Sequence, residues 1–91
     1  MRIKAYATLR DLLGGSQFQV PVSGQATVEE VLRQVVSAHP DLGPKLWDEA
    51  GKLTGYVTVL LNGRSIEYMA GLETTVGDAD TISLFPPVGG G

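Results

Sequence analysis

The sequence predicts an α+β domain of two layers, a mixed sheet of about five strands with one main helix packed across one face. Three observations carry this. Apolar residues recur at period two near both ends of the chain, at period 3.6 in one central segment only, and an Asn62-Gly63 step closes a β-rich run.

The elements follow in order. Residues 2 to 9 alternate, with Ile3, Ala5, Ala7 and Leu9 on one face and Arg2, Lys4, Tyr6 and Thr8 on the other, as in a half-buried strand. Gly14-Gly15-Ser16 supplies a turn, and Phe18, Val20 and Val22 repeat at period two, so the first two strands are expected to form an antiparallel hairpin. Pro21 places the second strand at a sheet edge. Thr27 with Glu30 three residues later makes a capping box before Val28, Val31, Leu32, Val35 and Val36, and the helix is expected to run to about His39, where Pro40 forces an exit.

Residues 40 to 55 read as an irregular connection with a short turn, anchored by Trp47. Tyr56 to Leu61 is a strand, Asn62-Gly63 its hairpin turn, and Ser65 to Tyr68 the return. Gly71 to Thr75 reads as a loop, Gly77 to Asp80 as a turn, and Thr81 to Phe85 as the final strand with Ile82 and Leu84 facing in. The folded domain is assigned to residues 1–88 and a glycine tail to 89–91.

Composition narrows the function. With 43% hydrophobic residues in 91, the chain can pack one small core without staples, and zero cysteines exclude disulfides, thiolate metal sites and thiol nucleophiles. A net charge of −3 with scattered Lys and Arg argues against nucleic acid and favours a basic partner surface. With no apolar leader and no run long enough to span a bilayer, the expectation is a cytoplasmic protein without membrane association.

The candidate site lies at the end. Pro86-Pro87 stops the final strand, and the six residues after Phe85 reach roughly 20 Å at about 3.3–3.6 Å each. Val88, Gly89, Gly90 and Gly91 would then present the terminal carboxylate through a channel too narrow for side chains. By parity Tyr6, Leu60 and Phe85 point to the sheet face the helix leaves open, forming a docking patch, with Arg10 and Arg64 as rim cations for acidic partner residues.

Strand order and ending together resemble the ubiquitin-like β-grasp sulfur carriers of the MoaD/ThiS family. The resemblance spans essentially the whole chain. It rests on Leu9-Arg10-Asp11-Leu12-Leu13-Gly14, the Thr27-Val28 helix start, Leu61-Asn62-Gly63, Gly77-Asp78-Ala79-Asp80 and, most specifically, Phe85-Pro86-Pro87-Val88-Gly89-Gly90-Gly91. Two positions depart from the family pattern: Ala79, where Asp-Gly-Asp is usual, and Gly89, where a non-glycine is usual.

The resemblance implies that Gly91 is the reactive residue. A ubiquitin-activating-type adenylyltransferase would use ATP to make the Gly91 acyl-adenylate, and a sulfur donor would displace AMP to leave a thiocarboxylate. The chain would bind no cofactor of its own, would be a carrier and not an enzyme, and would hand sulfur to the large subunit of molybdopterin synthase. Alternatives are a protein modifier joined to lysines through Gly91, a carrier serving cysteine synthesis or tRNA thiolation, and, in another class, an interaction domain with an inert tail.

Other polar residues have plainer roles. His39 lacks a partner for general-base work, Glu29 and Glu30 suit a helix N-terminus, and Asp78 and Asp80 read as turn formers and not as metal ligands.

Overall fold

The central helix forms where its cap sits. In the computed structural model, which describes residues 1–86, α2 (Val28–Ala38) opens at Thr27. The Thr27 hydroxyl accepts from the Glu30 N–H while the Glu30 carboxylate accepts from the Thr27 N–H, satisfying two donors the helix cannot. Val28, Val31, Leu32 and Val35 are buried along one stripe. Pro40 ends the helix, and the His39 N–H closes back on the carbonyls of Val35 and Val36. Replacing Thr27 with alanine removes the hydroxyl acceptor and is expected to cost about 1 kcal/mol. It should lower the urea midpoint without changing the slope.

The main sheet has five strands: β1 (Arg2–Ala5), β2 (Gln17–Gln19), β4 (Thr58–Leu61), β5 (Arg64–Ser65) and β7 (Thr81–Phe85), in the order β2-β1-β7-β4-β5. The central pair β1 and β7 is parallel, with Ile3 beside Ile82 and Ala5 beside Leu84, and the other pairings are antiparallel. Those four side chains, with Val59 and Leu61, face α2 and make the core together with Leu42 and Leu46. The sheet is mixed, one helix covers one of its faces, and β2 lies at an edge as Pro21 requires.

Several boundaries differ from the sequence reading. The first strand stops at Ala5. Ala7 is exposed at φ 53°, outside any strand, and Thr8–Leu13 forms a short helix, α1, that buries Leu9 and Leu13 and closes on Gly14 at φ 77°. Leu9, Leu12 and Leu13 already have helical spacing before an αL glycine, so the alternation over residues 2 to 9 merges two elements. The first hairpin is therefore an antiparallel pair joined through a helix, not through a tight turn.

The return after Asn62-Gly63 is two residues long, and Ile66–Tyr68 is a 3₁₀ turn that drops Ile66 into the core. The fourth strand starts at Thr58, leaving Tyr56 exposed. Residues 71 to 75 are not simply a loop. A 3₁₀ turn at Gly71–Glu73 leads into β6 (Thr75–Gly77), which pairs with β3 (Gln25–Thr27) in a separate two-stranded ladder. That ladder has three-residue strands, each with a single apolar residue at its centre, Ala26 opposite Val76, too short for alternation to betray them.

The connection after α2 holds a 3₁₀ turn (Pro40–Leu42) and a one-turn helix, α3 (Gly43–Leu46). Trp47 anchors it, bridging to Leu53 with the Arg33 guanidinium 4.5 Å above its ring. No helix among the described residues is long and apolar enough to cross a membrane.

Candidate functional site

The parallel register of β1 and β7 decides what meets at the tail's root. Because Ala5 lies beside Leu84, the next residues, Tyr6 and Phe85, leave the sheet on the same open face. Their rings stack at 4.2 Å between centroids, 6° from parallel. The Tyr6 N–H also donates to the Leu84 carbonyl at 3.2 Å, fixing the backbone beneath the stack. Tyr6 is 38% exposed and Phe85 half-buried, so the pair forms a flat apolar step one residue before Pro86.

Leu60 lies on this face as parity requires, opposite Ser83, while Thr58 stands opposite Phe85. It is diagonal to the stack, within cross-strand reach of Phe85. Arg10, carried by α1, lines a groove of about 370 Å³ with Arg2, Lys4, Tyr6, Ser16 and Gln17. Arg64 sits on β5, opposite Leu61 and away from that groove. The structure thus brings Tyr6, Phe85, Leu60 and Arg10 to one face and leaves Arg64 apart from them. Pro86 is half-buried at the end of β7. Pro87, Val88, Gly89, Gly90 and Gly91 lie outside the described residues.

Arg2 and Lys4 are the site residues that the sequence reading passed over. They share the parity of Tyr6 in the first strand, and that was signal enough. With Arg10 they put three cations along the groove and no Asp or Glu among its described lining residues, although Arg2, at its far end, also borders Asp78 and Asp80. A chain of net charge −3 therefore carries a locally positive patch at Lys4 and Arg10, in the groove that Tyr6 shares. Net charge says nothing about distribution, and the cations here have the sign that the sequence reading gave the rim of this face at Arg10.

The far end of the sheet is braced by side chains. Asn62, at φ 51° in the turn, donates from Nδ2 to the Asp80 carboxylate at 3.0 Å and accepts the Thr81 N–H on Oδ1 at 3.0 Å. The Gly77 N–H also donates to Asp80, at 2.8 Å. These donors hold the Asp80 carboxyl below its usual range, the Asn62 amide first and the Gly77 amide second. Asp78 is lowered as well, chiefly by the α-ammonium of Met1, 2.8 Å from it. Ala79, between them, needs no left-handed φ, so the departure from Asp-Gly-Asp leaves the turn intact.

Acid sensitivity follows from these bonds. Asp80 has a lower pKa folded than unfolded, so its contribution is complete above about pH 4 and is lost as pH falls through the folded value. An Asp80→Ala variant should be less stable than the parent at pH 7. The gap between the two urea midpoints should close as pH falls below about 4, and a gap that stays constant with pH would remove the carboxylate from the account.

Comparison with known proteins gives a consistent picture. The model of the ThiS family matches residues 3–91. Small archaeal modifier protein 1 of Haloferax volcanii is 36% identical over 91 residues, covering all of both chains, and small archaeal modifier protein 3 of the same organism is 34% identical, covering all of this chain and 98% of the other. Among solved structures, the crystal structure of SAMP1 from Haloferax volcanii superposes with a TM-score of 0.86 over all of this chain and 98% of that one. The BexX/CysO complex of Amycolatopsis orientalis contains a chain 33% identical, with a TM-score of 0.80 over 99% of this chain and 98% of that one.

Proposed function

This chain belongs to the ThiS family, a family of ubiquitin-like sulfur carriers and modifiers, and from that premise we propose that it carries sulfur as a thiocarboxylate on Gly91. The observation that carries the reading is the root of the tail. β7 is a central strand, so the residue before Pro86 is held on two sides, and it ends on an aromatic step whose Tyr6 shares a groove with Lys4 and Arg10. The sequence from there runs Pro86-Pro87-Val88 into three glycines and a carboxylate.

The division of labour follows from the chemistry. A carboxylate is a poor acceptor for a nucleophile. An adenylyltransferase of the ubiquitin-activating type removes that obstacle: a Gly91 carboxylate oxygen attacks the α-phosphorus of ATP, pyrophosphate leaves, and sulfur from a donor then attacks the acyl carbon and expels AMP. No side chains of this protein gather a nucleophile, a base and an orienting group for such steps among the described residues, so its part is to dock and to reach. Docking rests on the Tyr6, Phe85 and Leu60 face against an apolar partner surface, with Arg2, Lys4 and Arg10 against acidic residues. The complex of BexX with CysO supports a mode of action in which such a chain works bound to a partner.

The Phe85-Pro86-Pro87-Val88 ending supports the large subunit of molybdopterin synthase as the sulfur acceptor. A second reading, conjugation through Gly91 to lysines of other proteins, draws on full-length relatives named as small archaeal modifiers. Intact mass after incubation with ATP, a sulfur donor and the activating enzyme from the same cell tests the shared chemistry. The expected result is a gain equal to one oxygen replaced by sulfur. Adding the large subunit and its pterin precursor should then discharge it. A charged protein that ignores the pterin but appears linked to lysines would replace the first acceptor by the second, and no gain at all would favour the interaction domain with an inert tail.

A further inference from the structure

The chain leaves the sheet at Pro86 with a strand on each side. β7 lies between β1, which runs with it, and β4, which runs against it. Pro86 is therefore flanked by Tyr6, the residue after β1, and by the residues that precede β4. Thr58, the first residue of β4, stands opposite Phe85. Tyr56 comes two residues earlier, so its Cα is at most about 7 Å from that of Thr58 and about 12 Å from that of Phe85. The alternation of β4 carries on past its end, since Val57 is buried and Tyr56 is 47% exposed.

Three large hydrophobic side chains are exposed among the described residues: Tyr6, Tyr56 and Tyr68. Two of them stand on either side of Pro86, and both are held in place. Tyr6 is stacked on Phe85. The Tyr56 ring carries the Lys45 ammonium 5.2 Å from its centroid, and Lys45 makes no ion pair among the described residues that would draw it away. Thr54 ties the two residues together: its hydroxyl donates to the Lys45 carbonyl at 2.7 Å and accepts the Tyr56 N–H at 2.9 Å. A ring fixed in this way loses little freedom when a partner covers it. It belongs neither to the core nor to the side chains packed against the core, so the fold itself does not account for it.

We propose that Tyr56 is a second docking residue for the partner that takes the tail. That partner grips the chain at Pro86 from both flanks, with one apolar group on the exposed part of Tyr56 and another on the step of Tyr6 and Phe85. The proposal rests on the reading that Gly91 is charged inside a partner's site. Topology picks the occupant. A channel that receives a chain from the middle of a sheet has a wall on each side of it, and Tyr56 stands where the wall on the β4 side arrives. Two contacts across the tail fix its direction as well as its position, which makes Tyr56 a positioning residue for the carboxylate beyond it.

The test uses the whole protein, labelled with nitrogen-15, and the activating enzyme from the same cell. Without ATP, cross-saturation from the enzyme should reach residues 54–58 as well as residues 6 and 85. In charging assays Tyr56→Ala should raise KM about tenfold with kcat little changed. Tyr56→Phe should keep the parent's KM, since the contact needs the ring and not the hydroxyl. Tyr68→Ala, which removes the third exposed ring from beyond β5, should behave as the parent does. Cross-saturation at residues 6 and 85 alone, a Tyr56→Ala protein charged with the parent's KM, or an equal loss in Tyr68→Ala would overturn the proposal. Saturation on both flanks with no mass gain in the parent would uphold the two-sided grip and remove the sulfur chemistry instead.

Discussion

Gly91→Ala is expected to leave the fold and its urea midpoint unchanged and to abolish thiocarboxylate formation, read as the absence of any oxygen-to-sulfur mass gain under conditions that charge the parent fully. The fold part follows from position, since the core closes within residues 1–84. The chemical part follows from size. A Cβ on the residue being adenylated occupies space that glycine leaves empty, and a channel that admits only backbone cannot yield it. A one-ångström misplacement of reacting atoms is enough to lose about two orders of magnitude in rate. Deleting Gly90 and Gly91 together should give the same result with equal folding. A variant charged at the parent's rate would sink the mechanism.

Phe85→Ala should raise the KM for charging roughly 30-fold with kcat little changed, the signature of lost docking and not of lost chemistry. The side chain is half of the stack with Tyr6 and stands one residue before the tail, where an interface aromatic of about 2 kcal/mol is expected. That energy is a factor of roughly 30 in affinity. Since Phe85 is half-buried, some folding stability goes with it, and Tyr6→Ala, cutting the same stack from its more exposed side, separates the two effects. If both variants charge with unaltered KM, the partner docks elsewhere.

How far residues alone led depended on what each element leans on. The Thr27 capping box, the α2 stripe and the Thr81–Phe85 strand were readable because periodicity and local chemistry agree there. The stack of Tyr6 on Phe85 was readable only as shared parity; its contact needs the parallel register of β1 with β7, which no local signal encodes. The helix at Thr8–Leu13 was hidden by overlap, since Leu9 satisfies the strand period and the helix period at once. The β3–β6 ladder was hidden because Gln25 to Thr27 and Thr75 to Gly77 are held by each other across the chain. The positive groove was missed for a different reason. Arg2 and Lys4 were placed on the right face, but Arg10 and Arg64 were read as its cations, and Arg10 joins Lys4 in one groove only because Thr8–Leu13 is a helix.

The parallel pairing of β1 with β7 also governs when the protein becomes usable during synthesis. The first strand finds its central neighbour only after residue 85 has been made, and pairings of such long sequence separation form late and slowly. Until then α2 has half a sheet to pack on, and a chain cut short before β7 lacks the middle of its core. The strand that completes the sheet is the one that leads into the glycines, so the stacked pair at the root of the tail exists only once the domain has closed. A partner that recognises the stacked pair beside Pro86 thereby reads folding and completeness in one contact.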